Sequence, residues 1–340
     1  MPSADLILPL IDLAPYLSPD ATPSSKATVI AQVRAAVAEF GFFQVINHGI
    51  PIASQHALIE AIRTLMRIPK EDKLAMSFLK NPCRRGCTTP KKSVHPFQLP
   101  PSSTRFVDTE KKKAFYIGRP SEKIEPPGFH GPNIWPSPEL VPEAEFRDPV
   151  WSYYQETNRL GREIWQLLIQ GLGHPGELLS QFTKKPVVMM KMIRYPPFSS
   201  TLPGQFGVGA HTDFGGVTVL LQEAGRNGLE VEHKGEWIPV PALENVLVIN
   251  AGDMIAGWSG GVYQSAKHRV INKGEEERIS CATFWHGDLD ATNPFIDGKG
   301  EGAAGDETVA DLLVKRFRSQ FSLMKGKKTE EVVRGEVFAH

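Results

Sequence analysis

Cysteine is scarce in this chain. Cys83, Cys87 and Cys281 are the only three, and an odd, scattered set builds no disulfide framework, which fits a reducing compartment. Cys83 and Cys87 also lack the second pair that a four-ligand zinc site wants. A charge surplus of either sign is missing. Lys+Arg and Asp+Glu are 38 each, so nothing in the overall balance recruits nucleic acid or an anionic membrane. No run reaches the ~18 uncharged apolar residues of a membrane span. The opening MPSADLILPLIDL lacks the basic region and long apolar run of a secretory signal. No internal repeat is visible. The expectation is a soluble, cytoplasmic protein. Hydrophobic residues at 41% of 340 are enough for a sizeable core and exclude general disorder.

Periodicity then divides the chain. Residues 6–13 read as a short strand. A helix capped by Ser24 or Ser25 carries Ile30, Val33, Val37 and Phe40 at helical spacing. GFFQVINHGI (41–50) reads as a strand, and Leu58, Ile62, Leu65 and Met66 mark a second helix. Residues 81–145 are rich in Pro, Gly, Lys and Ser and read as a long functional loop. A third helix is expected over 151–171. From Val187 the texture changes to short β-rich runs (VVMMKMIRY, VTVLLQEA, LEVEHKGEWIPV, NVLVINAG, SAKHRVIN, ISCATFWHG) separated by turn residues, the pattern of an antiparallel sandwich or barrel. A closing helix from Thr308 carries Leu312, Leu313, Phe317 and Phe321. The plan is a single catalytic domain over 1–340. A helical part with its long loop occupies 1–186, a β core 187–290 and the last helix 305–325.

The residues able to do chemistry lie in the β core. His211 and Asp213 stand two apart on an extended segment, so their side chains share one side. His268, on a different β-rich run, can complete a set of two imidazoles and one carboxylate. Such a set leaves coordination positions open and suits non-haem Fe(II) that activates O2, whereas zinc favours a four-coordinate site. The competing reading is a hydrogen-bonded His–Asp pair beside an unrelated His. Arg278 and Ser280 share a strand face ten residues further on. A guanidinium pointing in among apolar residues needs an anion, and its fork fits a carboxylate. The competing partner is a structural acid such as Asp253 or Glu277.

These residues carry a resemblance. GFFQVINHGI, MIRYPP, AHTDFGGVTVLL, VINAGDMIAGWSGGVYQSAKHRVIN and RISCATFW, in that order, resemble the iron(II)/2-oxoglutarate-dependent dioxygenases of the isopenicillin N synthase-like superfamily over about residues 6–325. The resemblance implies an α+β fold with a mainly β core, a distorted double-stranded β-helix (jelly roll) flanked by helices. It implies Fe(II) held by His211, Asp213 and His268. It implies the cosubstrate 2-oxoglutarate held at its far carboxylate by Arg278, Ser280 and Tyr195, with O2 as oxidant and Phe284 lining the substrate pocket. The implied reaction couples loss of CO2 from 2-oxoglutarate, giving succinate, to oxidation of an unactivated C–H bond in a small metabolite, such as an amino acid or a specialised metabolite. Hydroxylation, desaturation, epoxidation or cyclisation can result. Two departures stand out. Ile193 occupies the position of a usual plant asparagine, and Cys87 follows Arg85-Gly86 where an aromatic residue is common.

Strand parity adds a reading of its own. Lys191 shares the parity of Tyr195, so it should face the interior and meet an acidic group of the substrate, unless it pairs with a protein acid or snorkels outward. Arg84 or Arg85 could serve likewise. His48 is expected to bond to backbone, and His286 could touch substrate. The loop 81–145 and the last helix are the candidate lid. The alternative function is a ring-closing oxidase that needs no 2-oxoglutarate, with Arg278 and Ser280 holding the substrate's own carboxylate. A non-catalytic jelly-roll binding protein is the third reading. Partners are expected to be small molecules, with no nucleic acid and no membrane.

Overall fold

Two β-sheets share an interior, and the main helices cover the outer side of the larger one. The structure is a computed structural model and describes residues 7–88, 113–125, 128–197, 207–272, 274–295 and 307–316. In chain order the elements are β1 (Leu10–Asp12), α1 (Ala14–Leu17), α2 (Pro23–Phe40), β2 (Phe42–Ile46), α3 (Ile52–Arg67), α4 (Lys70–Ala75), β3 (Gly86–Thr88), β4 (Lys113–Gly118), α5 (Arg147–Gly171), α6 (Leu179–Phe182), β5 (Pro186–Tyr195), β6 (Val208–His211), β7 (Val217–Gln222), β8 (Leu229–His233), β9 (Glu236–Val240), β10 (Leu247–Ala251), α7 (Asp253–Trp258), β11 (His268–Val270) and β12 (Arg278–Asp288). A last helix covers 309–316.

Eight strands form the large sheet in the order β1-β2-β10-β7-β12-β5-β4-β3, and four form the small one in the order β6-β11-β8-β9. β1 and β2 run parallel; the other neighbours are antiparallel. This is the expected jelly-roll core with flanking helices, and the sheets do not close into one barrel.

Alternation along each strand sorts side chains onto two faces. The outer face of the large sheet presents Met190, Met192, Val219, Leu221, Ile249, Ile279, Cys281 and Trp285. They pack with Val33 and Val37 of α2, Leu58 and Ile62 of α3, and Leu160, Ile164 and Trp165 of α5 in one apolar cluster. Each such side chain contributes roughly 1.5–3 kcal/mol by leaving water. The inner face carries Ile193, Tyr195 and Val248, which pack against Leu229, Val231 and Val270 of the small sheet. Buried on both faces, β5 and β12 have almost no exposed position, which is why their sequences do not alternate cleanly.

Several boundaries differ from the sequence expectation. Thr22, not Ser24 or Ser25, caps α2: its hydroxyl accepts the Ser25 N–H at 3.1 Å, and Pro23 takes the first helical position where no N–H is needed. The first strand is Leu10–Asp12, and β2 stops at Ile46 because Asn47 takes a positive φ of 52°. α5 starts at Arg147, four residues before Trp151. The loop expected over 81–145 contains β3 and β4, the last two strands of the large sheet: β4 pairs with both β3 and β5 and buries Ala114, Phe115 and Ile117, while β3 is only three residues long and is bridged on its other side from Cys87 to Ser77. LEVEHKGEWIPV is two strands joined at Lys234 and Gly235, whose positive φ values of 50° and 85° make a tight hairpin turn. Phe317 and Phe321, expected in the last helix, lie outside the described residues. Lys73 of α4 is buried because its Nζ donates to the Met66 carbonyl at 2.9 Å and to that of Ile68, capping the end of α3.

Candidate active site

The small sheet brings two histidines face to face. His211 ends β6, His268 begins β11, and the two are paired in register. Their ring centroids are 4.3 Å apart. Asp213 follows in the turn, with Oδ1 at 3.8 Å from Nε2 of each histidine. The ligand atoms of the three lie within 4.8 Å of one another, and no other group of this kind occurs among the described residues. Cys83 and Cys87 are buried free thiols.

The surroundings leave the right atoms available. His211 Nδ1 is 2.8 Å from the Gly209 carbonyl and His268 Nδ1 is 3.3 Å from that of Ala266. In the tautomer that donates these bonds, each Nε2 lone pair is left for a metal. Asp213 Oδ2 accepts from Thr218 Oγ1 at 2.7 Å and Asn250 Nδ2 at 2.9 Å, leaving Oδ1 on the histidine side. Burial would raise the Asp213 pKa, but His268, the Asn250 and Thr218 hydrogen bonds and His211 outweigh it and hold the carboxyl below its ordinary value. Burial, then the neighbouring His268, lowers His211, so its imidazole is neutral at pH 7. Two imidazoles and a carboxylate, pre-oriented by their hydrogen bonds, fit a divalent metal with open positions.

The turn is held on the α7 side as well. Asp253 N–H donates to the Asp213 carbonyl at 2.8 Å. The Asp253 carboxylate accepts from Thr212 Oγ1 at 3.0 Å and Ser265 Oγ at 2.7 Å. Gly215 and Gly216 are required by close approach: a Cβ on Gly215 would come within 2.0 Å of the His286 ring, and one on Gly216 within 2.4 Å of the Trp285 carbonyl. Thr218 and Asn250 were missed by sequence reasoning, and Asp253, weighed there as a partner for Arg278, instead accepts from Thr212 and Ser265. Their signal is in the motifs (HTDFGGVT, INAGD) but shows only once the strands are paired.

The far end of the inner face carries Arg278, Ser280 and Tyr195, all at most 2% exposed. Arg278 and Tyr195 are paired in register, and the guanidinium lies 4.9 Å from the Tyr195 ring centroid. Burial presses the Arg278 pKa down while Tyr195 opposes it. Buried Nη1 makes no hydrogen bond among the described residues. Glu277, the suspected structural partner, instead pairs with Arg194 at 2.5 Å. An orphaned guanidinium donor beside a serine fits the carboxylate of a bound dicarboxylate.

Between these ends lie Lys191, opposite Ala282, and Phe284, opposite Thr218. Lys191 stands 5.5 Å from the Tyr116 ring centroid. Burial opposes its charge, but Tyr116, Tyr195 and Asp213 outweigh it and push Lys191 up to about 12. Phe284 is half-buried. Arg85 is not available to a substrate: fully buried, it donates to the Cys83 and Phe129 carbonyls at 2.9 and 2.7 Å. Arg84 lies 5.8 Å from the Phe78 ring, which packs on Tyr116. His48 Nδ1 accepts the Ile50 N–H at 3.1 Å, a backbone role as expected. His286 Nδ1 accepts the Gly216 N–H at 3.2 Å, and burial drives its pKa down to about 4, with Asp213 opposing.

Comparison with known proteins adds independent findings. Residues 187–287 match the 2OG-Fe(II) oxygenase superfamily, and residues 8–138 match a family described as non-haem dioxygenase in morphine synthesis, N-terminal. The chain is 53% identical over 327 residues to the 2-oxoglutarate-dependent dioxygenase thnC of Trichoderma harzianum, covering 96% of this chain and 97% of that one. It is 43% identical over 326 residues to the 2-oxoglutarate-dependent dioxygenase caaD of Aspergillus niger, covering 93% and 94%. A full-length Neurospora crassa protein, solved in complex with alpha-KG and thymine, shares the fold with a TM-score of 0.79 at 24% identity, covering 94% of this chain and 98% of that one.

Proposed function

Since the chain belongs to the 2OG-Fe(II) oxygenase superfamily, we propose that His211, Asp213 and His268 hold its iron, that Arg278, Ser280 and Tyr195 hold the far carboxylate of its 2-oxoglutarate, and that Lys191 and Phe284 face its substrate. The enzyme is a 2-oxoglutarate-dependent dioxygenase, an oxidoreductase that uses Fe(II), 2-oxoglutarate and O2. When bound, the metal and cosubstrate supply the oxidising power for a C–H bond, with succinate and CO2 as by-products.

The protein's part is positioning and exclusion of water. The single observation that carries the site assignment is the pairing of His211 with His268 around Asp213, each with its other polar atom tied to the protein. Arg278 offers a buried donor with no protein acceptor among the described residues, as a bound carboxylate requires. On the substrate side, the Lys191 ammonium stands 5.5 Å from the Tyr116 ring centroid. An acidic or enolic oxygen on a small specialised metabolite would satisfy it, and Phe284 and Tyr116 add apolar walls.

The whole chain acts as one catalytic unit in this reading, because β1 and β2 of its first part pair into the same sheet as β5, β7, β10 and β12. A cytoplasmic location is supported by three free cysteines; among the described residues no helix is long and apolar enough to cross a membrane. The fungal relatives named as 2-oxoglutarate-dependent favour this reading over the ring-closing oxidase.

The test is a substrate screen on protein loaded anaerobically with Fe(II) and 2-oxoglutarate, read as succinate release on admitting O2. Product that forms without 2-oxoglutarate would overturn the assignment. Lys191→Met should weaken substrate binding while leaving 2-oxoglutarate affinity unchanged; unaltered substrate affinity in the folded variant would remove Lys191 from the substrate site.

A further inference from the structure

The Arg278 guanidinium is anchored by residues outside the proposed iron, cosubstrate and substrate contacts. Gln222, the last residue of β7, is 3% exposed and lies opposite Ser280 in register. Its Oε1 accepts a hydrogen bond from Arg278 Nη2 at 2.9 Å. Arg278 Nε donates to the Arg226 carbonyl at 3.2 Å. With the Tyr195 ring against the guanidinium face, these contacts fix the position and the plane of the fork. Nη1 is then the one buried nitrogen of Arg278 without a partner among the described residues. The Arg226 peg is itself tied down. Its guanidinium pairs with Glu223 at 3.6 Å and with Glu276, and Glu223 also pairs with Arg63 and accepts the Ile279 N–H at 3.3 Å.

Building on the assignment of Arg278 to the cosubstrate, we propose that Gln222 is a positioning residue for 2-oxoglutarate: it occupies one edge of the Arg278 fork so that Nη1 stays aimed at the far carboxylate. A neutral amide suits this task. It satisfies a buried donor without neutralising the guanidinium, whose full charge is kept for the ligand. A carboxylate at 222 would form its own ion pair with Arg278 and compete with the cosubstrate. An aliphatic residue would strand Nη2 in a dry site and free the fork to turn.

The experiment compares Gln222→Leu, Gln222→Glu and Arg278→Lys with the parent, as full-length protein with Fe(II) under anaerobic conditions. The Kd for 2-oxoglutarate is read by calorimetry, with the Kd for Fe(II) and the melting temperature of the metal-free protein beside it. Both Gln222 variants should weaken 2-oxoglutarate by about tenfold or more and leave Fe(II) affinity within about twofold. Equal weakening of Fe(II) and 2-oxoglutarate with a lowered melting temperature would mark a merely structural role and overturn the proposal. Gln222→Glu preserves size and the acceptor atom, so it keeps the test open even where Gln222→Leu does not fold. An unchanged 2-oxoglutarate Kd in Gln222→Glu, beside a weakened one in Arg278→Lys, overturns the positioning role alone. An unchanged Kd in Arg278→Lys overturns the assignment of Arg278 itself, and this proposal with it.

Discussion

The two faces of the large sheet are built from the same strands, and both are buried, but most of the buried polar side chains are gathered on the inner one. On the outer face of β12, Ile279, Cys281 and Trp285 enter an apolar cluster with the helices. On the inner face of the same strand, Arg278 and Ser280 are just as dry and yet polar. β7 repeats the contrast, with Val219 and Leu221 outward and Thr218 and Gln222 inward, and so does β10, with Ile249 outward and Asn250 inward. A buried polar group costs free energy unless it is bonded. The outer face therefore states what makes the fold stable, and the inner face states what the fold is for.

That division can be broken most directly at Asp213. Asp213→Ala should abolish Fe(II) binding and turnover, a loss beyond the ~10–100-fold typical of removing a group that only supports a ligand; equilibrium dialysis with Fe(II) checks it. The outer face should respond on the other axis. Ile164→Ala opens a cavity against the sheet and should cost about 2–5 kcal/mol in urea unfolding, while the folded fraction keeps its metal affinity. A variant there that lost iron without losing stability would erase the distinction.

His286, at the irregularity between Trp285 and Gly287 in β12, sharpens the comparison through pH. Its folded pKa is depressed from 6.5 to about 4 by burial, with Asp213 opposing. The unfolded chain therefore binds the extra proton between these values. The contribution to stability is complete above about pH 6.5 and is lost as pH falls toward 4, about 3 kcal/mol in all. His286→Gln, which can still accept the Gly216 N–H, should flatten the stability curve in this window; an equally steep curve would show that other groups set it. Smallest is the effect of Asn250→Ala. It removes one donor to Asp213 Oδ2 and should lower Fe(II) affinity about 10–100-fold, with the change visible in metal titration and only a minor shift in the urea midpoint.

The sequence carried His211 and Asp213 because they sit at a fixed short spacing, although β6 ends at His211 and the turn after it, not strand parity, brings Asp213 back to the histidines. It carried the jelly-roll core because turn residues punctuate it so regularly. It could not show that His268 lies in register with His211, since that depends on a pairing across 56 intervening residues. Nor could it show that Thr218 and Asn250 converge on one carboxylate oxygen, because they lie on different strands. Arg85 misled for a different reason: composition marks its segment as a polar loop, yet its two terminal nitrogens donate to backbone carbonyls in the interior. β3 was hidden because three residues are too few to carry a pattern, and β4 because its single short run stands inside a segment otherwise rich in Pro, Gly, Lys and Ser.

The histidines belong to the small sheet, while Arg278, Ser280 and Tyr195 belong to the large one. On the proposed assignment, a dicarboxylate held at the metal by one end and at Arg278 by the other would add a fastener between two layers joined by apolar contacts and a few hydrogen bonds such as Asn250 to Asp213. Loading the cosubstrate should make the sandwich more resistant to heat and proteolysis, rising with the logarithm of ligand concentration above its Kd. A thermal-shift trace with no turnover at all then becomes a readout of whether the two layers have been clipped together.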